Sequence, residues 1–255
     1  MMLFSLLLSI LGLLGVLSLM LTPVETLAPT DVNLPPMAIR GLSLIQPGVL
    51  VIVAVFIGSA LAQRVSLDAP ALRAAAQGDA SAALGILQRQ SGPAIVVAAI
   101  VGLLLAGYAA VTEPYFLSLD GPEVERMLAV TPPMITKILY GGLSEEIICR
   151  WGLMTFVAWL LWRLSGAPAA PAPWVLWSAI VVAAILFGLG HLPVLYGVVG
   201  QPPAWLVGAV VIANLAPGLA FGWLYWRFGL ESAVLAHGSA HLVGGLASMV
   251  VSNSS

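Results

Sequence analysis

The stretch Pro132–Leu164, PPMITKILYGGLSEEIICRWGLMTFVAWLLWRL, decides how the rest of the chain is read. It is apolar and long enough to cross a bilayer, yet Glu145, Glu146 and Arg150 sit near its middle. One such residue at the centre of a membrane helix costs about 2.5 to 3.5 kcal/mol, so the three together cost about 7 to 10 kcal/mol if they face lipid. They must instead face protein, water or a membrane surface. Glu146 and Arg150 are spaced i,i+4, which puts them on one helical face and allows an intrahelical ion pair. Glu145 is turned about 100° from Glu146 on an α-helix and has no such local partner. Gly141-Gly142, just upstream, predict a break or a close helix approach. On this stretch alone, a charge cluster at a helix start competes with a functional site.

Outward from that stretch, apolar runs recur along all 255 residues. The chain is 60% hydrophobic and 8% charged, against roughly 25% charged in an ordinary soluble domain. This composition excludes a soluble globular protein and predicts an all-α, polytopic transmembrane bundle of about seven spans. The spans are placed at Met1–Leu21, Ser43–Gln63, Pro93–Leu117, Pro132–Leu164, Trp174–Tyr196, Ala204–Trp226 and Leu230–Val251. Met1-Met2-Leu3-Phe4 lacks the charged start of a signal peptide, so the first run reads as a retained span. Arg64, Arg73 and Arg89 fall in an Ala-rich polar segment suited to a short surface helix. With the N-terminus inside they lie on the cytoplasmic side, with Arg163 and Arg227, while Arg40, Arg126, Lys137 and the acidic loop of Asp120, Glu123 and Glu125 lie opposite. The connections are short, so residues 1–255 read as one membrane-embedded domain. A net charge of -2 gives nucleic acid no electrostatic footing. The single cysteine, Cys149, excludes an internal disulfide and CxxC chemistry.

All three histidines, His191, His237 and His241, fall inside apolar runs. One buried histidine is usually a packing or hydrogen-bonding residue; three, with none left for the loops, argue for a site. His237 and His241 are spaced i,i+4 and share a helical face. Phe187 precedes His191 by one turn and is expected to stack with it. A carboxylate pair, a lone histidine and a histidine pair on three spans can converge only inside the bundle, where an unpaired Glu can serve as a general base. Asn214 with Pro217, and Gln46 with Pro47, read as interhelical hydrogen bonds beside kinks.

Taken in order, Glu145-Glu146 with Arg150, Phe187 with His191, and His237 with His241 resemble the motifs of the CPBP or ABI family of intramembrane proteases, which includes the CAAX prenyl endopeptidases. The family pattern is EExxxR, FxxxH and HxxxN on three spans, and this chain has His241 where prenyl-processing members carry Asn. The resemblance covers about Leu143 to Val243 and makes 143–243, on spans four to seven, the expected catalytic core. It implies an integral multi-pass membrane peptidase that hydrolyses a peptide or lipidated protein substrate among membrane lipids, expected in the cell membrane. By that resemblance Glu145 with His191 activates water, His237 and His241 stabilise the oxyanion, and Glu146, Arg150 and Phe187 are structural. Neutral His241 can still donate a hydrogen bond, so its oxyanion role survives. Glu145, His191, His237 and His241 also make a zinc-compatible set, which leaves two alternatives open: a single zinc ion, or metal-free glutamate catalysis, the favoured one. Two other functions compete, a non-proteolytic assembly or regulatory protein of the same fold and a proton-coupled transporter with Glu145, Glu146 and the histidines as its relay. The absence of a repeated half argues against transport.

Overall fold

A computed structural model describes residues 2–27, 33–118 and 130–252. Among these residues every regular element is helical, and seven helical runs are long and apolar enough to cross a membrane. The protein is an all-α, polytopic integral membrane bundle. The elements are α1 (Met2–Ser18), α2 (Pro36–Ser43), α3 (Ile45–Leu61), α4 (Pro70–Ala76), α5 (Ala80–Leu117), the composite α6 (Met134–Leu164), α7 (Pro173–Gly190), α8 (Leu192–Val199), α9 (Ala204–Phe228) and α10 (Leu230–Ser252). Large apolar side chains such as Leu6, Phe56, Ile100 and Leu246 remain exposed, which suits a surface whose solvent is hydrocarbon rather than water. The acidic loop of Asp120, Glu123 and Glu125, with Arg126, lies outside the described residues.

Several boundaries differ from the sequence expectation, each for a local reason. The third span does not start at Pro93. Asp79 caps the helix, its Oδ1 accepting from the Ala82 amide at 2.9 Å, and the helix-forming run that follows carries α5 through Pro93. Arg64, Arg73 and Arg89 therefore share no single surface helix: they lie in a 3₁₀ turn, in α4 and in α5 respectively. Arg73 pairs with Asp68 at 2.6 Å. The fifth run divides at His191, which joins α7 to α8. Between α9 and α10 the chain turns at Gly229, whose φ of +107° is open to glycine.

The largest difference lies in α6. Gly141-Gly142 do not break it; instead Lys137–Glu145 and Ile147–Met154 are wound as π-helix, with Glu146 between the two segments. Such i→i+5 winding is rare and is found mostly at functional sites. Because it turns less per residue than an α-helix, neighbouring side chains splay less widely around the axis. The two glycines do provide close approach, Gly142 against the Gly238 backbone of α10 and Gly141 beneath the His237 and His241 rings.

The spans without motifs hold this helix in place. Ser144 Oγ donates to the Gly12 carbonyl and Thr136 Oγ1 to the Ser18 carbonyl, both at 2.8 Å, so α1 is clipped to α6 at two levels. Gly15 permits the approach: a Cβ there would overlap Ser144 Oγ and lie 2.5 Å from the Leu139 carbonyl oxygen. On the other side Trp151, fully buried, packs against Gly58 of α3. α10 packs along α5 and α9 along α7. Gly102 and Gly244 let the first pair come close, the small-residue contact by which membrane helices associate. Gly15→Ala is expected to destabilise the protein by about 1 to 3 kcal/mol through overpacking. Thermal unfolding of purified protein in detergent checks this, and an unchanged transition would show that α1 does not support α6.

Candidate active site

Glu145 of α6, His191 at the α7–α8 joint, and His237 and His241 of α10 line one cavity of about 620 Å³, together with Phe187. Residues far apart in sequence thus meet inside the bundle. The cavity wall also includes Lys137, Tyr140 and Asn214. No motif singles out Lys137 or Tyr140, and the expected interhelical hydrogen bond of Asn214 is instead made within its own helix, Nδ2 donating to the Val210 carbonyl at 2.8 Å, while the side chain also lines the cavity.

His237 is the centre of the arrangement. Its Nδ1 is 2.8 Å from Glu146 Oε1, and its Nε2 is 3.9 Å from Glu145 Oε2. The two adjacent glutamates therefore address opposite nitrogens of one imidazole. An α-helical reading turns them about 100° apart; the π winding on either side of Glu146 narrows that angle, and a ring placed between them meets both. Glu146 is fully buried, His237 nearly so, and Glu145 keeps about 20% of its side-chain surface. The buried carboxylate thus orients, while the partly exposed one meets the cavity.

Glu146 in turn is held by Arg150. Arg150 Nη1 lies 3.0 Å from Glu146 Oε1, at an angle outside hydrogen-bond geometry, so this attraction is one of charge. Nη2 donates to the Gly218 carbonyl at 3.1 Å. The guanidinium carbon also lies 5.1 Å from the Phe187 ring centre and 5.6 Å from that of Phe221, distances suited to cation–π attraction. Arg150 therefore ties α6 to α7 and α9. Phe221, which no motif marks, also stacks on His237 with ring centres 4.7 Å apart and 25° between planes.

His191 points its Nδ1 at the Phe187 carbonyl, 2.8 Å away. A carbonyl only accepts, so Nδ1 carries the proton and the neutral ring keeps Nε2 as its acceptor. Phe187 meets His191 edge-on, at 82° with centres 4.8 Å apart, rather than in the expected stack. His237 and His241 lie 5.1 Å apart, ring centre to ring centre. A Cβ on Gly141 would come within 3.1 Å of His241 Nε2 and 3.2 Å of His237 Nε2. Gly141 thus leaves the space in which both nitrogens stand.

The zinc-compatible set does not close into a ligand sphere. Among the described residues no three His, Cys, Asp or Glu side chains are disposed to hold one metal ion. Glu145 and His237, 3.9 Å apart, are near enough to share a ligand, but no third candidate joins them. No catalytic step is therefore routed through a metal. Cys149 is buried behind the acidic pair and takes no part in the cavity.

The class of protein these features define is a helical membrane protein with a carboxylate–imidazole cluster opening into a cavity of the bundle. Residues 128–243, from just before α6 to the end of the third motif, match the family described as Rce1-like, type II CAAX prenyl endopeptidase Rce1-like. The match covers a little under half of the chain and contains all three motifs, so this part of the chain is similar to that family. No curated protein and no solved structure matches the chain.

Proposed function

We propose that the protein is an intramembrane endopeptidase that hydrolyses a peptide bond of a membrane-associated substrate with water activated by Glu145 and histidine. The observation that carries this reading is the convergence of Glu145, His191, His237 and His241 on one cavity. Residues 143–243 form its catalytic core, α1 to α5 brace that core, and the cell membrane is its location.

In the proposed cycle Glu145 takes a proton from a water whose other hydrogen is accepted by His191 Nε2. The water oxygen attacks the scissile carbonyl carbon, and the carbonyl oxygen becomes an oxyanion. His237 Nε2–H and His241 donate to that oxygen. Glu145 then passes the proton to the leaving nitrogen as the C–N bond breaks, so one water yields one new carboxyl and one new amine. The geometry supports His237 as the group at the oxyanion: its Nδ1–H donates to Glu146, which turns Nε2 toward Glu145 and the cavity.

Comparing membrane proteomes from cells with wild-type protein and with Glu145→Gln tests the reading. Peptide termini present only with the wild type are expected, and identical terminus profiles would reject hydrolysis in favour of a non-proteolytic role. A second expectation concerns position 241. His241→Asn is expected to retain activity within about tenfold, because Asn also donates to an oxyanion, in protein whose elemental analysis shows no stoichiometric zinc. About one zinc per chain, whose removal and return switch turnover off and on, would overturn metal-free catalysis.

A further inference from the structure

Tyr140 lies one π turn before Glu145 in the segment Lys137–Glu145, and both side chains line the cavity. At the α-helical step of about 100° per residue, positions five apart stand about 140° from each other and face different ways; i→i+5 winding brings them to one side of the helix. The next residue, Gly141, is the one over which His237 Nε2 and His241 Nε2 stand. The ring of Tyr140 packs against the core, but its hydroxyl enters no hydrogen bond among the described residues. Other hydroxyls of the cavity are engaged: Thr136 donates to the Ser18 carbonyl and Ser248 to the Gly244 carbonyl, and Tyr108, on α5, has Thr112 beside it. A phenol inside a protein usually finds a hydrogen-bond partner, and for Tyr140 that partner must enter the cavity.

We infer that Tyr140 is a further catalytic residue, whose phenolic O–H donates to the oxyanion of the tetrahedral intermediate. This rests on the peptidase reading, since it needs an oxyanion to meet. A phenol can donate or accept, and the cycle is short of donors. The attacking water already meets two acceptors, Glu145 and His191 Nε2. The oxyanion meets only imidazoles, and His237, whose Nδ1–H is committed to Glu146, offers Nε2–H only while it carries a second proton. A phenol keeps its O–H whatever the state of the rings. A donor held beside developing charge, in a site screened from water, is worth more than the same donor in solution. No covalent bond to Tyr140 forms or breaks: its hydrogen bond strengthens as the carbonyl oxygen gains charge and relaxes as the C–N bond breaks and the carbonyl re-forms.

The test uses full-length protein in liposomes and two probes: a mixed-sequence peptide pool with an N-terminal acyl chain, and a pool of N-acylated pseudopeptides in which a phosphinate, a stable tetrahedral anion, replaces an amide. Tyr140→Phe keeps the ring and removes the O–H. It is expected to lower kcat on the peptide pool about a hundred- to a thousandfold, the size of one lost oxyanion donor, with KM within about threefold and the melting temperature unchanged. Because a donor to the tetrahedral state acts on its analogue as well, Tyr140→Phe is also expected to bind the phosphinate pool at least about tenfold more weakly. A kcat within about threefold of wild type, a loss confined to KM, or a fall in kcat with phosphinate binding unchanged overturns the donor. Loss of folded protein in Tyr140→Phe overturns it too, since the hydroxyl would then serve the fold. If wild type cuts no peptide, the phosphinate pool still decides: binding that depends on Tyr140 keeps the anion donor and sinks the peptidase, and equal binding by both proteins overturns the donor.

Discussion

Glu145→Gln protein is expected to reach the membrane at wild-type levels, to unfold at the wild-type temperature and to turn over substrate at least about a thousandfold more slowly, within the span of a lost general base. The amide keeps the shape of the side chain and removes the proton acceptor. Stability is spared because Glu145 is the partly exposed member of the pair and meets His237 only at 3.9 Å, so no buried charge loses a close partner. Rates of product formation by purified protein, set beside a melting curve of the same sample, check both halves. Wild-type cleavage by Glu145→Gln would remove Glu145 from the mechanism, whereas loss of folded protein would show that its role is structural.

Arg150→Met is expected to act in the opposite sense, on the fold first. Arg150 is 2% exposed and Glu146 fully buried, and stranding one charge of such a pair costs about 3 to 5 kcal/mol. The side chain also gives up its Gly218 hydrogen bond and its contacts with Phe187 and Phe221, which join three helices. Glu146→Gln is expected to lose comparable stability and, in the fraction that folds, activity as well, because His237 Nδ1 then faces an amide instead of a carboxylate. The double variant Glu146→Gln/Arg150→Met strands no charge. It should therefore recover part of the stability while remaining inactive. Melting temperatures and yields of the three variants decide this; additive losses in the double variant would show that the two side chains are not energetically coupled.

Much of this molecule is legible without coordinates because the physics behind it is local. The thickness of a bilayer is met by an unbroken apolar run, so the seven crossings follow from hydropathy along the chain, within boundary shifts such as Pro93 and Ala80. The Glu146–Arg150 pair follows from i,i+4 spacing, and the positions of the three histidines inside apolar runs already require that they face one another or a cavity. What the linear text does not contain is the angle between neighbours and the identity of the partner across a gap. The π winding of α6 coincides with α1 clipped to it at Gly12 and Ser18 and with α10 close against Gly142, contacts between segments remote in sequence. That winding brings Glu145 and Glu146 to the two nitrogens of His237, where α-helical periodicity sends them to different faces. Phe221 on His237 and Lys137 in the cavity wall carry no motif, since a phenylalanine or a lysine acquires such a role only from what folding places opposite it. Membrane crossing is decided residue by residue against a uniform solvent, whereas the site is decided by which helices touch, and only the packed bundle holds that information.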